Sequence, residues 1–411
     1  MYRKLTVLAV LMMLWGTSVY SQTTVEWWQF WTDPESKQAI ESIVADFEAA
    51  NPDIKIRLTD LTWANGHEKI VIALASGTGP DILELGSDWI AQFAEGGQLA
   101  DLSSDIKDDS TSLQGWGLST YKGNVYGVPW ILGTRVVFVN QELTGRTVLT
   151  DQWVPAKWRH LQFLADSLCL PGADVYAWGS NAPEKHRLYK KFLPFFWTVG
   201  GQVFTDDHRY CVISSLWGIL ALEMYKMLHD DCAYVADQRG LEDAFLDNKV
   251  AIIMSGDWFL KRIKLEKPNL KFATTVIPSI RMPSGVKQGI SFLGGEFLAV
   301  NEASENKDAA LKFIRFLTSP ENEVRFCKAS GSASPASRAA QEDSYFQSDP
   351  NLQTFIEQLK SAKHPPVDPD WVHIEDIIEE AIEAAVFSEE LTPAEALREA
   401  QIKITELKKK R

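Results

Sequence analysis

The sequence predicts an α/β fold, with mostly parallel sheets flanked by crossover helices. Three observations predict it. The stretch Ala73 to Ser103, ALASGTGPDILELGSDWIAQFAEGGQLADLS, reads helix, strand, helix without pause. Strand and helix patterns alternate from Val25 to Glu95. The 411 residues, 45% hydrophobic and 23% charged, are ordinary globular composition and enough for two domains of standard size.

Met1 to Ser21 reads as a signal peptide. Arg3 and Lys4 form the charged start, and Leu5 to Trp15 is an apolar run too short to span a bilayer. Val19 and Ser21 sit at −3 and −1 of a cleavage before Gln22. A membrane anchor or a first core strand is the competing reading of these residues. No cysteine stands near the cut, which speaks against a lipid anchor. The expected product is soluble and exported, periplasmic or otherwise extracytoplasmic. Cleavage removes Arg3 and Lys4 and no acid, which takes the formal net charge from −14 to −16. So acidic a surface repels phosphate backbones, and nucleic acid is excluded as a partner.

Val25 to Phe30 is a β-rich run ending in aromatics. Asp33-Pro34 supplies an N-cap and a first-turn proline, and Ile40, Ile43, Val44 and Phe47 share one helical face. Ile54, Ile56 and Leu58 alternate as a strand. Gly77-Thr78-Gly79-Pro80 ends the next helix, because glycine tolerates φ > 0 and proline cannot donate to a ladder. Asp81 to Leu85 is the third strand, and Ser87 or Asp88 can cap the helix after it. Asp81 begins that strand beside a loop without side-chain bulk, an edge expected to face a ligand crevice. Further on, Thr134 to Asn140 reads as a buried strand, and Pro155 to Leu168 and Leu216 to Leu228 as helices. The tail holds two helices. Ile374, Ile377, Ile378, Ala381 and Ile382 mark one, and Thr392-Pro393-Ala394-Glu395 has the capping-box spacing that opens the other.

Catalytic motifs are thin. There is no G-x-S-x-G, H-E-x-x-H or Walker A run. Asp206-Asp207-His208 is a tight acid–histidine cluster, but acidic surface turns are common, so no metal or cofactor is expected. Cys169, Cys211, Cys232 and Cys327 show no C-x-x-C spacing. One bridge among the first three and free buried thiols are equal alternatives. The fifteen tryptophans are the stronger signal, fourteen of them beyond Trp15. Trp28, Trp31, Trp63, Trp130, Trp178, Trp197 and Trp258 lie at element ends rather than on periodic faces. An aromatic plate accepts the C–H face of a sugar ring, while carboxylates and amides take its hydroxyls. The competing reading for each tryptophan is the core.

Several runs carry a family resemblance. They are Ser76-Gly77-Thr78-Gly79-Pro80-Asp81, Phe93-Ala94-Glu95-Gly96-Gly97, Lys122 to Trp130, Val199-Gly200-Gly201, Ala244 to Trp258, Gly289 to Val300, Asn306 to Leu317 and Ser334 to Arg338. In this order they resemble the extracellular solute-binding proteins of ABC importers, in the sugar-binding group of maltose-binding type. The likeness covers nearly the whole chain beyond Ser21. It departs at Arg159 and His160, where the family usually carries an acidic pair, and at Asn248, where it carries glycine. Asn248 also tolerates the left-handed region.

The resemblance implies two α/β lobes joined by three crossings near Leu132–Arg135, Gly294–Phe297 and Ser334–Arg338. Residues 22–133 plus 297–335 then form the N-terminal lobe, and 134–296 plus 336–411 the C-terminal lobe. By family position Gln29, Phe30 and Trp31 follow the first strand into the cleft, and Trp63 follows the second. Asp81 follows the glycine-rich turn, and Trp130 sits beside the first crossing. Trp197, Asp257 and Trp258 face them from the second lobe, with Glu296 and Arg338 at the later crossings. Glu296 and Arg338 could instead pair as a hinge salt bridge. Arg135 or Arg338, if unpaired in the cleft, would suit an anionic ligand. The implied function is capture of a carbohydrate by a monomeric binding protein that closes on it and delivers it to membrane permease subunits. A polyol or sugar phosphate is an alternative ligand. An exported hydrolase using Asp81, Asp257 or Glu296 is the rival class.

Overall fold

The computed structural model describes residues 22–106, 111–145, 154–168, 174–283, 285–331 and 334–409. Residues 1–21, read above as a signal peptide, and Cys169 lie outside them. The first sheet begins with β1 (Thr23–Gln29), β2 (Ile54–Asp60) and β3 (Ile82–Gly86), all parallel, with β1 between the other two. Crossover helices α1 (Pro34–Ala50) and α2 (Gly66–Ala75) join them, and α3 (Ile90–Glu95) follows β3. Alternation sends Val25, Trp27 and Gln29 into the lobe. Ile40, Ile43, Val44 and Phe47 of α1 pack into the same core, and Asp33 caps α1 by accepting the Ser36 N–H at 3.2 Å.

Next come β4 (Val128–Thr134) and β5 (Val136–Asn140), separated by Arg135. β5 leaves the first sheet and enters the second, which also contains β6 (Tyr176–Asn181), β7 (Ala233–Ala236), β8 (Val250–Ser255) and β9 (Phe272–Thr275). Its order is β9-β5-β8-β6-β7. The β8, β6 and β7 ladder is parallel, and β5 runs antiparallel to both β8 and β9. Helices α4 (Arg159–Leu168), α5 (Leu188–Val199), α6 (Leu216–Cys232), α7 (Gln238–Leu246) and α8 (Trp258–Glu266) belong to this lobe. α4 starts later than the pattern predicts. Residues 156–158 are instead tied to Ser279, the Trp158 N–H donating to Ser279 O and the Ser279 N–H to Ala156 O.

The chain returns through β10 (Ser291–Val300). Phe292 lies in the second core and Phe297 in the first, so one strand serves both lobes. Gly294 and Gly295 sit between them. A Cβ on Gly295 would lie 2.5 Å from Ile131 O, which is why the strand carries no side chain there. β10 is antiparallel to β3 and β4 and parallel to β11 (Ala362–Lys363). It is tied to the first crossing, because the Arg135 N–H donates to Ser291 Oγ at 3.1 Å and Thr134 Oγ1 donates to Phe292 O at 2.9 Å. Both sheets are therefore parallel at the centre with antiparallel strands added by the chain's returns.

Helices α9 (Lys307–Leu317), α10 (Pro320–Ser330) and α11 (Arg338–Gln341) stay with the first lobe. The third crossing needs correction. Ser334 to Ser337 runs along β4, with Leu132 donating to Ser334 O and Ala336 to Trp130 O, and Phe346 still packs in the first core. The chain changes lobe at α12 (Pro350–Leu359), whose Leu352 and Phe355 pack on the outer face of the second sheet. α13 (Trp371–Ile382) and α14 (Pro393–Lys409) complete the second core. Thr392 and Glu395 form the expected capping box, and Asn248 has φ 57°.

Candidate ligand-binding cleft

The C-terminal ends of β1, β2 and β3 converge on one edge of the first sheet, the edge where open α/β sheets hold ligands. Gln29 ends β1 and spends its amide inside the lobe. Its Nε2 donates to Asp60 Oδ1 at 2.6 Å, and its Oε1 accepts the Trp31 N–H at 2.6 Å. That pair fixes the turn presenting Phe30, whose N–H donates to buried Glu84 at 3.0 Å. Burial holds the Glu84 carboxyl well above the usual range, with Glu296 adding to the effect. The Phe30 ring stacks on Trp63, centroids 4.3 Å apart and planes 21° apart. Trp63 is 43% exposed, and Trp89 stands 5.4 Å beyond it. Phe30 and Trp63 are stacked, Trp89 is tilted 50° to Trp63, and the cluster is exposed on the Trp63 side. Gly86 lies directly under these rings, a Cβ built on it being in ordinary van der Waals contact with both Trp63 and Trp89 at 3.7 Å. Glu296 is the residue paired with Gly86 across the ladder.

On the other side, the Arg135 guanidinium lies over the Trp258 ring, 4.6 Å from its centroid. The Trp258 indole is fixed by a 2.8 Å bond to Glu242 Oε1, which Arg262 holds in turn at 2.7 Å from Oε2. Asp257 caps α8, accepting the Trp258 N–H at 3.0 Å. Arg135, Asp257 and Glu296 feel one another's charge. Burial and the neighbouring Asp257 push the Glu296 carboxyl up to about 7, Arg135 opposing. Lys191, buried in α5, donates to Met254 O at 2.7 Å, and burial holds its pKa well below the ordinary lysine value.

The lobes meet on both flanks. Asp88 of the first accepts from Tyr189 Oη at 2.8 Å and from Lys190 at 2.9 Å. Lys261 of the second donates to Asp33 at 2.9 Å and to Ala329 O at 3.0 Å, with Glu35 at 3.4 Å. Two lobes, strands shared through the crossings and an aromatic cleft closed at both flanks define the architecture.

A family model described as "Bacterial extracellular solute-binding protein" matches residues 31–324. The chain belongs to that family. A binding protein of Brucella abortus is 24% identical over 384 residues, covering 90% of each chain. The maltodextrin-binding protein MdxE of Bacillus subtilis is 23% identical over 370 residues, 84% of this chain and 82% of that one. An ABC-transporter solute-binding protein of Thermotoga lettingae, solved with α-D-tagatose, shares the fold at TM-score 0.82 and 24% identity, covering 94% of this chain and 99% of that chain.

This solute-binding protein does not bring every expected residue to the cleft. Phe30, Trp63 and Glu296 lie at this sheet edge, Asp257 and Trp258 lie next to Arg135, and Gln29 holds the turn at Phe30, whereas Trp31 packs edge-on against Trp130 and Phe326. Asp81 stands at the N-terminal end of β3, away from that edge. It accepts from the Glu26 N–H at 2.8 Å, Ser304 Oγ at 2.5 Å and Asn306 Nδ2 at 3.2 Å, and so serves the scaffold. Trp130 is fully buried, with Trp27 5.7 Å and Phe326 4.6 Å away. Trp197 is buried in the second core, stacked on Phe292. Arg338 is exposed on α11, and among the described residues no ion pair joins it to Glu296. Asp207 accepts from Thr205 Oγ1 at 2.6 Å and Asp206 from Gln202 at 2.9 Å. Among the described residues no cluster suits a metal. Cys232 is disulfide-bonded, whereas Cys211 and Cys327 are free and buried. Sequence reasoning passed over Trp89, Tyr189, Lys190 and Lys261, and it gave Asp88 only a capping role.

Proposed function

We propose that this protein is the capture subunit of an ABC importer, that its ligand is a neutral carbohydrate, and that it works by closing two lobes on it. The observation that carries this reading is the cluster of Phe30, Trp63 and Trp89, with Trp63 exposed, at the strand end where Gly86 pairs with Glu296, whose charge is coupled to Asp257 and Arg135. Aromatic faces suit the C–H face of a pyranose, and the charged groups suit its hydroxyl rim. The relatives named for maltodextrin and tagatose support the same ligand class. The charge balance argues for a neutral sugar over a sugar phosphate. Arg135 is matched by Asp257 and Glu296, Lys190 is paired with Asp88, and Lys191 is buried against a carbonyl. Of these three cations, none is left over for a phosphate.

The ligand acts by favouring the closed arrangement, in which Tyr189, Lys190 and Lys261 reach across the cleft. Membrane permease subunits would read that arrangement. The signal-peptide pattern of residues 1–21 supports export, and no helix among the described residues is long and apolar enough to cross a membrane. Binding without turnover fits better than hydrolysis, because Asp81, one of the three candidate acids, is spent on the scaffold.

The test is intrinsic tryptophan fluorescence of exported protein, refolded to remove bound ligand, across a panel of sugars, polyols and sugar phosphates. A saturable change with a neutral sugar, absent in Trp63→Ala and Trp258→Ala, is expected. A response confined to phosphorylated sugars, or release of reducing ends from an oligosaccharide, would overturn the reading.

A further inference from the structure

The departure at Arg159 and His160 falls on a surface that the cleft does not use. Backbone pairing of residues 156–158 with Ser279 sets Lys157 and Arg159 beside Arg281. Together they rim a groove of about 250 Å3 floored by Trp158, Met224, Met227 and Ile280. None of the three cations has an ion-pair partner among the described residues, although many other lysines and arginines there do. Three unpaired cations side by side repel one another, so the cluster favours an external anion.

The apolar floor continues outward. Trp217, Leu220, Met224 and Met227 recur at helical spacing on one side of α6, the side next to α4. Leu216 is 72% exposed, Trp217 41% and Met227 38%, and Phe163 on α4 is exposed beside Arg159. Aliphatic and aromatic side chains in a row, bordered by lysine and arginine, suit the boundary between headgroups and acyl chains. Glu223 and Asp166 are the acids at the margin.

The geometry points to a second binding surface, on the α4–α6 face of the second lobe, that takes the anionic lipid surface of a membrane. The headgroup phosphates sit on Lys157, Arg159 and Arg281, and Leu216, Trp217 and Met227 enter the interface. The surface holds the binding protein near the bilayer between encounters, independently of what fills the cleft.

The test is co-sedimentation of the exported protein with vesicles of phosphatidylglycerol and phosphatidylethanolamine, against phosphatidylcholine vesicles, at low ionic strength. Binding to the anionic vesicles is expected. It should fall about tenfold or more with phosphatidylcholine, in molar salt, or in the triple variant Lys157→Glu, Arg159→Glu, Arg281→Glu. Trp217→Ser with Met227→Glu should also weaken it, and Glu223→Lys should strengthen it. Unfolding midpoints show whether each variant folds, and Glu223→Lys carries the test if the triple variant does not. Equal binding to both vesicle types, no response to Glu223→Lys, or no binding at low salt would overturn the proposal. So would a concentration-dependent dimer that the charge reversals dissolve, which would assign the face to a second copy.

Discussion

Tyr189 donates its phenol hydroxyl to Asp88 at 2.8 Å, joining residues 101 apart in sequence and lying in different lobes. Lys190 closes on the same carboxylate at 2.9 Å. Burial opposes the charge on Asp88, but the lysine and the phenol outweigh it and hold its pKa below the usual range. A hydrogen bond to a charged group contributes about 1.5–3 kcal/mol when partly desolvated. This one exists only while the lobes are together, so it weights closure rather than folding. Asp88→Asn should open the ligand-free protein, enlarging the radius of gyration in solution scattering, and weaken ligand binding about tenfold at an unchanged unfolding midpoint. Unchanged scattering and affinity would show that Asp88 has no part in closure.

Trp63 and Trp130 both follow the reading of a tryptophan at an element end, yet they do opposite things. Trp63 is largely open on one face and stacked on Phe30. Trp130 is sealed among Trp27, Trp31 and Phe326. Trp63→Ala should cost affinity, about 1 kcal/mol or more, with little change in stability. Trp130→Ala should cost about 3–5 kcal/mol of stability by leaving a cavity. Urea midpoints and ligand titrations on the same two variants separate the roles. Equal stability losses would undo the distinction.

That contrast shows how far the sequence carries. Local chemistry was legible: the Asp33-Pro34 start of α1, the Thr392–Glu395 capping box, the left-handed Asn248 and the glycine pair inside β10 are all where the pattern puts them. The resemblance supplied the two-lobed order. What was not legible depends on three-dimensional placement. Asp81 and Asp88 bracket one strand, and local spacing does not say that Asp81 bonds into the scaffold while Asp88 meets the other lobe. Lys261 meets Asp33 across 228 residues, and no local spacing announces that. The third crossing was misplaced because Ser334 to Ser337 pairs with β4 before the chain leaves the lobe.

Asp81→Ala makes the scaffold role measurable. The carboxylate takes three donors from β1 and the turn before α9. Losing it should destabilise the protein by about 1–3 kcal/mol while the ligand affinity at saturating folded protein stays within a factor of about two. A large loss of affinity in a stable variant would return Asp81 to the site.

Glu296 should set a pH dependence. Burial, with Asp257 beside it, pushes its pKa up to about 7 in the folded protein, against the ordinary carboxylate value near 4.5. Between those values the folded chain holds a proton that the unfolded chain has released, so stability falls as pH rises from about 4.5 to about 7. Glu379, also raised to about 7 by burial with Glu375 adding, acts in the same direction. His67 and His229, lowered by burial, act in the opposite direction as pH falls through the ordinary histidine range. Glu296→Gln removes one contribution of known sign. It should gain on the order of 1–2 kcal/mol at pH 8 relative to pH 5, compared with the parent chain. Arg135 would then face Asp257 alone, so affinity should become less dependent on pH over the same window. Urea unfolding and ligand titration at pH 5 and pH 8 measure both, and parallel pH profiles for variant and parent would show that Glu296 is already ionised throughout.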